Sequence, residues 1–412
     1  MLFGLVHKFS KMVEQSHPHI KQTPLSNNLH AQNFRVKQPA RKAAGEPNSY
    51  ISEIVPEFVD RSDLAPGLHW GDVLCVQYDE HDRYVGASYS SGALKVLNSI
   101  SGKTLHVLNP PQKEFDSTKP AQAIISAIKF KPHIVGHEKD AIIAVTSQGQ
   151  LQYINMNDGK MLKVIDAPHH RGEALNCVDV NRTLEKTAIA GNMAQIHVYD
   201  EMSENKDFLM TLKAGGVGLP GHSKRIFSLK FDYGNENVLY SGGWDDAIYV
   251  NDLREGGAVG VVLGPHISGD AIDVKGNLLI AGSYRNERNL TLFDLRFPTK
   301  PLQHIDMDTS SINHFSECLN YAASFHPGPA QRILAAGCTG GRNEVKFFEA
   351  SGDQDEPGIF TGGFKPSYGL VDFEKGVQCF KFSHKNDRVV VGTAGGLLAG
   401  FRMRVEKDMM LV

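Results

Sequence analysis

Residues 216–223, GVGLPGHS, approach the phosphate-loop pattern G-x-x-x-x-G-K-[ST], but His222 stands where the lysine belongs and Lys224 arrives two positions late. Such a loop also needs a strand before it and a helix after it, so that helix-end amides face the anion. A strand-like run follows here, so nucleotide binding is not expected. His137-Glu138 opens a zinc-protease pattern that the run HEKDA does not complete. His133 and His137 are four apart but fall between strand-like runs. His169-His170 and His17-Pro18-His19 supply two imidazoles each, short of a zinc ligand set. Cys75, Cys177, Cys318, Cys338 and Cys379 are odd in number and hold no C-x-x-C pair, which argues against a disulfide framework or a cysteine-rich zinc site. No G-x-S-x-G elbow or G-x-G-x-x-G turn occurs. The expectation is a protein without catalytic, cofactor-binding or metal-binding residues and without a small-molecule substrate.

The elements that position residues in this chain are therefore more informative than its motifs. Its 412 residues are 41 % hydrophobic with a net charge of −3, enough to bury a core and too balanced to attract nucleic acid or an anionic membrane. Forty glycines point to many tight turns. No apolar run approaches the ~18 residues of a membrane span. The first residues, MLFGLVHKFSKM, are broken by Lys8 and followed by no cleavage site; they read as a short amphipathic helix or frayed tail, not a secretory signal. Residues 1–49 hold Lys8, Lys11, Lys21, Arg35, Lys37, Arg41 and Lys42 against Glu14 and Glu46. With few large apolar residues, residues 1–50 are expected to be a flexible basic tail. A sharper reading makes it an arm for an acidic partner, anchored by Leu2, Phe3, Leu5, Val6 and Phe9.

From Ile51 on, short runs rich in Val, Ile, Leu and aromatics end in Gly, Asn, Asp or Ser, a strand signature. Seven segments superpose: LCVQY (74–78), SAIKF (126–130), NCVDV (176–180), FSLKF (227–231), DAIDV (270–274), YAASF (321–325) and QCFKF (378–382). Three positions before each final residue stand Cys75, Ala127, Cys177, Ser228, Ala271, Ala322 and Cys379, all small. Two positions before it stand Val76, Ile128, Val178, Leu229, Ile272, Ala323 and Phe380, all apolar. Strand neighbours point to opposite faces, so the small residue marks a face against which another strand packs closely. A second run, a turn and a third run follow each time, and in most copies a fourth. Four antiparallel strands in each of seven copies predict an all-β, seven-bladed β-propeller over residues 51–412. Little chain remains for a fourth strand after the third run of the last copy. Residues 51–60, ISEIVPEFVD, are expected to complete that blade, with Pro56 on its open edge. Deleting residues 1–62 should then destabilise the fold, and deleting 1–45 should not.

The fourth copy, GHSKRIFSLKFDYGNENVLYSGGWDDAIYVNDLREG, resembles a WD40 repeat: a Gly-His pair, an apolar strand, a Ser-Gly turn with Asp, and a third strand ending in Asp-Leu-Arg. The resemblance runs from about residue 51 to the C-terminus, specific in copy four and resting on periodicity elsewhere. It implies a hydrogen-bonded set of His222, Ser241 and Asp245, incomplete because Asn251 replaces the family's usual Trp. His69 stands nine residues before its anchor, as His222 does, so it is expected to play the same structural part. The positions equivalent to Asp245 are Ser91 in copy one and Met193 in copy three.

The resemblance also implies that the end of the ring bearing the Gly-His loops binds partners. Trp244 lies on a turn there, either packed against a neighbouring loop or presented as an anchor. Arg225, Tyr284, Arg285, Arg288 and Arg342 are expected around it or across the ring mouth. Basic residues in these loops (Lys113, Lys119, Arg171 and Lys224 among them) are matched by acids such as Glu114, Asp116, Glu173 and Glu287, a mixture suited to protein and not to a polyanion. NDLR (251–254) and FDLR (293–296) resemble the aromatic-Asp-x-Arg box by which some WD40 proteins dock on cullin-type ubiquitin ligase adaptors. Asp252 with Arg254, or Asp294 with Arg296, would carry that role, or would form a local salt bridge across the turn. The expected function is a monomeric, non-catalytic, cytoplasmic scaffold presenting a propeller face to partner proteins in a larger complex, with no nucleic acid, membrane or cofactor. The alternatives are a ligase substrate receptor and a cytoskeletal or ciliary component, and a nuclear location is compatible with any of these.

Overall fold

A computed structural model describes residues 34–37, 51–61, 69–109, 122–131, 140–168, 173–204, 206–212, 219–307, 318–328, 333–340, 342–351, 363–384 and 388–405. These residues form strands and turns, with no helix among them. The strands make seven antiparallel sheets, six of four strands and one of five. The first strand of each sheet lies innermost: Val73–Tyr78, Ile125–Lys131, Leu175–Val180, Ile226–Phe231, Ile272–Lys275, Cys318–Phe325 and Val377–Phe382. Each packs on the inner strand of the next blade, and the seventh on the first. The chain is a seven-bladed β-propeller.

The recurring small residue faces the following blade. Cys75 Sγ lies 4.0 Å from the carbonyl oxygen of Ile128, Cys177 Sγ 3.9 Å from that of Ile226, and Cys379 Sγ 3.7 Å from that of Val73. A longer side chain there would push the inner strands apart. The residue just before each anchor points the same way and is polar. Asp179 accepts a hydrogen bond from the Phe231 amide at 2.7 Å and pairs with Lys129 of the preceding blade at 2.8 Å. Asp273 accepts from the Phe325 amide at 2.9 Å and pairs with Lys230 at 2.9 Å. An inner strand is a sheet edge with amides that no strand pairs, and buried amides need acceptors. The preceding blade supplies them.

Ile51–Arg61 completes the seventh sheet as its outermost strand, antiparallel to Leu397–Val405. Pro56 faces Phe401 beside a shift of register, where the missing amide costs no ladder bond. Phe58 is buried in a slot made by two glycines: a Cβ would approach its ring to 2.1 Å from Gly400 and 2.4 Å from Gly102. Glu57 pairs with Arg388 of the same sheet at 2.9 Å. The Ile51 amide donates to Glu349 at 3.0 Å, and the Tyr368 hydroxyl to the Ser52 carbonyl at 2.8 Å, tying this strand to blade six.

The expectation of a flexible tail over residues 1–50 needs correction at one place. Arg35–Lys37 forms the fifth strand of sheet six, with Val36 opposite Leu370, and Arg35 pairs with Asp372. The cause is Phe34, the one aromatic between Phe9 and Tyr50. It is 2 % exposed and packs on Phe373 and Phe401 at centroid distances of 5.3 and 5.0 Å. One buried ring and a strand ladder order a segment whose average composition is polar. The Leu2–Phe9 anchor and the other tail residues lie outside the described residues, as do His133, His137, His169 and His170.

Candidate protein-interaction face

In blade four, the His222 imidazole brings Nδ1 to 2.9 Å from Asp245 Oδ2 and Nε2 to 2.9 Å from Ser241 Oγ, and the Ser223 amide donates to Asp245 at 2.9 Å. Burial pushes the Asp245 carboxyl up, but its bonds to His222 and Ser223 outweigh that and hold it below the ordinary carboxylate range. The set expected to be incomplete is closed by Asn251, whose amide donates to Ser241 Oγ at 2.9 Å and to the Leu239 carbonyl at 3.1 Å. A cavity of about 170 Å³ lies beside it, lined by Met193, Gln195, Ile196, Leu212, His222 and Asn251.

His69 does not repeat this arrangement. It is exposed, because the strand register puts Ala87 and Ser91 where blade four has Ser241 and Asp245, and neither holds an imidazole in place. Blade one uses Trp70 instead: it meets Tyr89 edge-on at 5.0 Å and carries Lys95 Nζ 4.2 Å over its ring, with Lys95 also paired to Asp60 of the closing strand at 2.6 Å.

On the turn after Gly243, Trp244 is half-buried. Its ring stacks with Phe227 at 5.2 Å and with His266 at 6.0 Å, and the Arg225 guanidinium lies 5.2 Å from the ring centre. Its indole N–H donates to Ser268 Oγ at 3.1 Å. The turn closes because position 243 has no side chain: a Cβ there would stand 2.1 Å from the Arg225 carbonyl oxygen, which instead accepts the Trp244 amide at 3.0 Å. Asp246, in the left-handed region at φ 59°, bridges His266 at 2.7 Å and Arg285 at 2.6 Å. Next to it in blade five, Tyr284 meets Tyr321 of blade six at 4.9 Å. The structure thus sets Arg225 beside Trp244 and links Trp244 to Arg285 through His266 and Asp246. Tyr284 stands one residue along, and Arg288 and Arg342 are exposed on the corresponding turns of blades five and six.

Phe227, His266, Ser268 and Tyr321 escaped the sequence reading. Phe227 and Tyr321 occupy the same place, four residues before their anchors, and each sits in a register shift of the inner strand. That bulge turns a residue toward the rim, so an aromatic at this place in two repeats was the available signal. The two Asp-x-Arg boxes lie at the far end of the third strands, away from Trp244. Both are closed on themselves: Arg254 pairs with Asp252 at 2.6 Å and Arg296 with Asp294 at 2.6 Å. Each arginine hydrogen bond lowers the pKa of its carboxylate.

No protein-family model matches the chain, and no curated protein does. Solved structures match on fold. A chain of "Crystal Structure of Mitotic Checkpoint Complex" superposes with a TM-score of 0.63 over 93 % of this chain and 99 % of its own, at 15 % identity. With 1740 chains similar in structure, this architecture alone does not select a function.

Proposed function

We propose that the protein is a WD40-type propeller acting as a non-catalytic platform for protein assembly, and that the face around Trp244 receives the partner. The observation that carries this reading is the cluster of Arg225, Trp244, His266, Asp246 and Arg285. It combines flat aromatic area with guanidinium groups held in fixed positions, the residue types most enriched in binding hot spots. Such a face suits a partner segment that carries an acidic residue beside an apolar one. The likeness in fold to a chain from the structure of a mitotic checkpoint complex accords with assembly work. The five cysteines, all buried and none in a disulfide, suit a reducing compartment such as the cytoplasm.

The test is affinity purification of the native chain beside an Arg225→Glu/Arg285→Glu variant and an Arg296→Ala variant. The platform reading expects the double variant to lose a partner that Arg296→Ala retains. Trp244→Ala should weaken the same partner by roughly 2 kcal/mol. A partner set indifferent to all the face variants overturns the assignment. Selective loss of a ligase adaptor on Arg296→Ala would move the function to the Asp-x-Arg boxes.

A further inference from the structure

Blade six brings together three side chains that sequence spacing keeps apart. Cys318 opens the inner strand, Cys338 lies near the end of the second strand (Ile333–Gly340), and Glu344 begins the third (Glu344–Ser351). The register pairs Cys318 with Gly340, Asn320 with Cys338, and Cys338 with Glu344, so all three project from one face of the sheet. Both cysteines are fully buried and Glu344 is 5 % exposed. Their two sulfurs and a carboxylate oxygen lie within 4.8 Å of one another, with Cys318 Sγ 3.7 Å from Glu344 Oε1. The carbonyl oxygen of Arg342, on the turn between the second and third strands, is 3.1 Å from Cys338 Sγ.

We propose that this end of blade six is a zinc site, ligated by Cys318 Sγ, Cys338 Sγ and the Glu344 carboxylate, with the Arg342 carbonyl as the fourth donor. Tetrahedral zinc with Zn–S bonds of about 2.3 Å sets its sulfurs about 3.8 Å apart, so the two sulfurs and the carboxylate oxygen, within 4.8 Å of one another, would close in slightly while the Arg342 oxygen, 3.1 Å from Cys338 Sγ, would move outward. A disulfide fits less well. The two cysteines are diagonal neighbours on adjacent strands, with backbones roughly 7–8 Å apart, beyond ordinary disulfide reach. Charge also balances in both states. Without metal, two protonated thiols leave Glu344 to pair with Lys346, 3.2 Å away. Zinc entry releases two protons to solvent, and two thiolates, one carboxylate, one ammonium and Zn²⁺ again sum to zero. A buried site neutral before and after loading avoids the desolvation cost of an uncompensated ion. Thiolate donors favour zinc over magnesium or calcium, and the exposed Arg342 turn gives the ion a short path inward. The metal would staple three strands of the blade beside Arg342.

Cobalt(II) titration of the full chain under reducing conditions tests the site, because cobalt bound to thiolate gives a sulfur-to-metal charge-transfer band that histidine-bound cobalt does not. The expected result is one equivalent per chain with that band, displaced by zinc. Cys318→Ser and Cys338→Ser should each weaken the band to about half at saturating cobalt and weaken zinc binding by about 100-fold or more; the double variant should abolish the band, while Cys177→Ser keeps both. Should the serine variants fail to fold, the native chain still decides. Zinc should slow alkylation of Cys318 and Cys338 and leave that of Cys177 unchanged. A missing band, a band undiminished by Cys338→Ser or surviving loss of both cysteines, or alkylation of the pair indifferent to zinc would each overturn the proposal.

Discussion

Asn251 shows how one buried amide can close a hydrogen-bonded set, its N–H donating to Ser241 Oγ on the neighbouring strand. The Gly-His signal, the Ser-Gly turn and the following Asp made His222, Ser241 and Asp245 legible in the sequence. The closing role of Asn251 was not, because it depends on a hydrogen bond across two strands. Asn251→Ala removes the donor to Ser241 Oγ in a buried place and should cost about 1–3 kcal/mol, read as a lowered urea midpoint with unchanged slope. Asp270 offers a pH test. Burial pushes its carboxyl up, but Lys381, 2.6 Å away, together with Lys129 and Lys230, brings it down to about 2. A depressed carboxylate contributes stability above its unfolded value of about 3.9, and that contribution fades as pH falls toward the folded value. Asp270→Asn should therefore lower stability at pH 7, with the gap to the parent narrowing between about pH 4 and pH 2. A gap that does not change with pH would assign the loss to packing. Cys318 and Cys338, twenty positions apart in number and joined only by strand register, show why paired ligands within a sheet leave no short motif.

At the scale of the element, the small residue of each inner strand was legible because it recurs at one place in every copy. Its meaning, contact with the next strand's carbonyl, required only the period of two. Cys177→Leu should overpack this joint and cost about 1–3 kcal/mol, seen in chemical denaturation; a neutral substitution would mean that the strands have slack. The residues beside the anchors were less legible. Lys129, Asp179, Lys230 and Asp273 alternate in sign through successive copies, yet the alternation acquires sense only when consecutive blades face one another. Turns between second and third strands repeatedly use a left-handed residue: Gly92, Gly149 and Gly395 at φ 89°, 81° and 83°, and Ala194 at 55°. A Cβ in that region costs on the order of 1 kcal/mol, so Ala194→Gly should raise the unfolding free energy by about that amount. A loss instead would show that the methyl group's packing beside the blade-three cavity outweighs the backbone strain.

For the whole molecule, the number of blades could be read from seven anchors, whereas the segment at residues 34–37 could not, since a single aromatic carries it. The expected order of truncations changes accordingly. Removing 1–45 should lower it, because Phe34 leaves its place between Phe373 and Phe401, at a cost of about 3–5 kcal/mol by analogy with Phe→Ala in a core. Removing 1–62 should abolish cooperative unfolding. Equal melting of the two would deny the closing role of Ile51–Arg61. That strand also imposes an order on biosynthesis. It leaves the ribosome long before Leu397–Val405 exists, and at about 5–20 residues per second it waits tens of seconds for its mate. Throughout that interval it is a nascent segment able to zip onto any unpaired backbone it encounters. Charges and a proline on that strand (Glu53, Glu57, Asp60 and Pro56) disfavour such pairing; replacing the exposed Glu53 with an apolar residue should lower soluble yield while sparing the pairs of Glu57 with Arg388 and of Asp60 with Lys95.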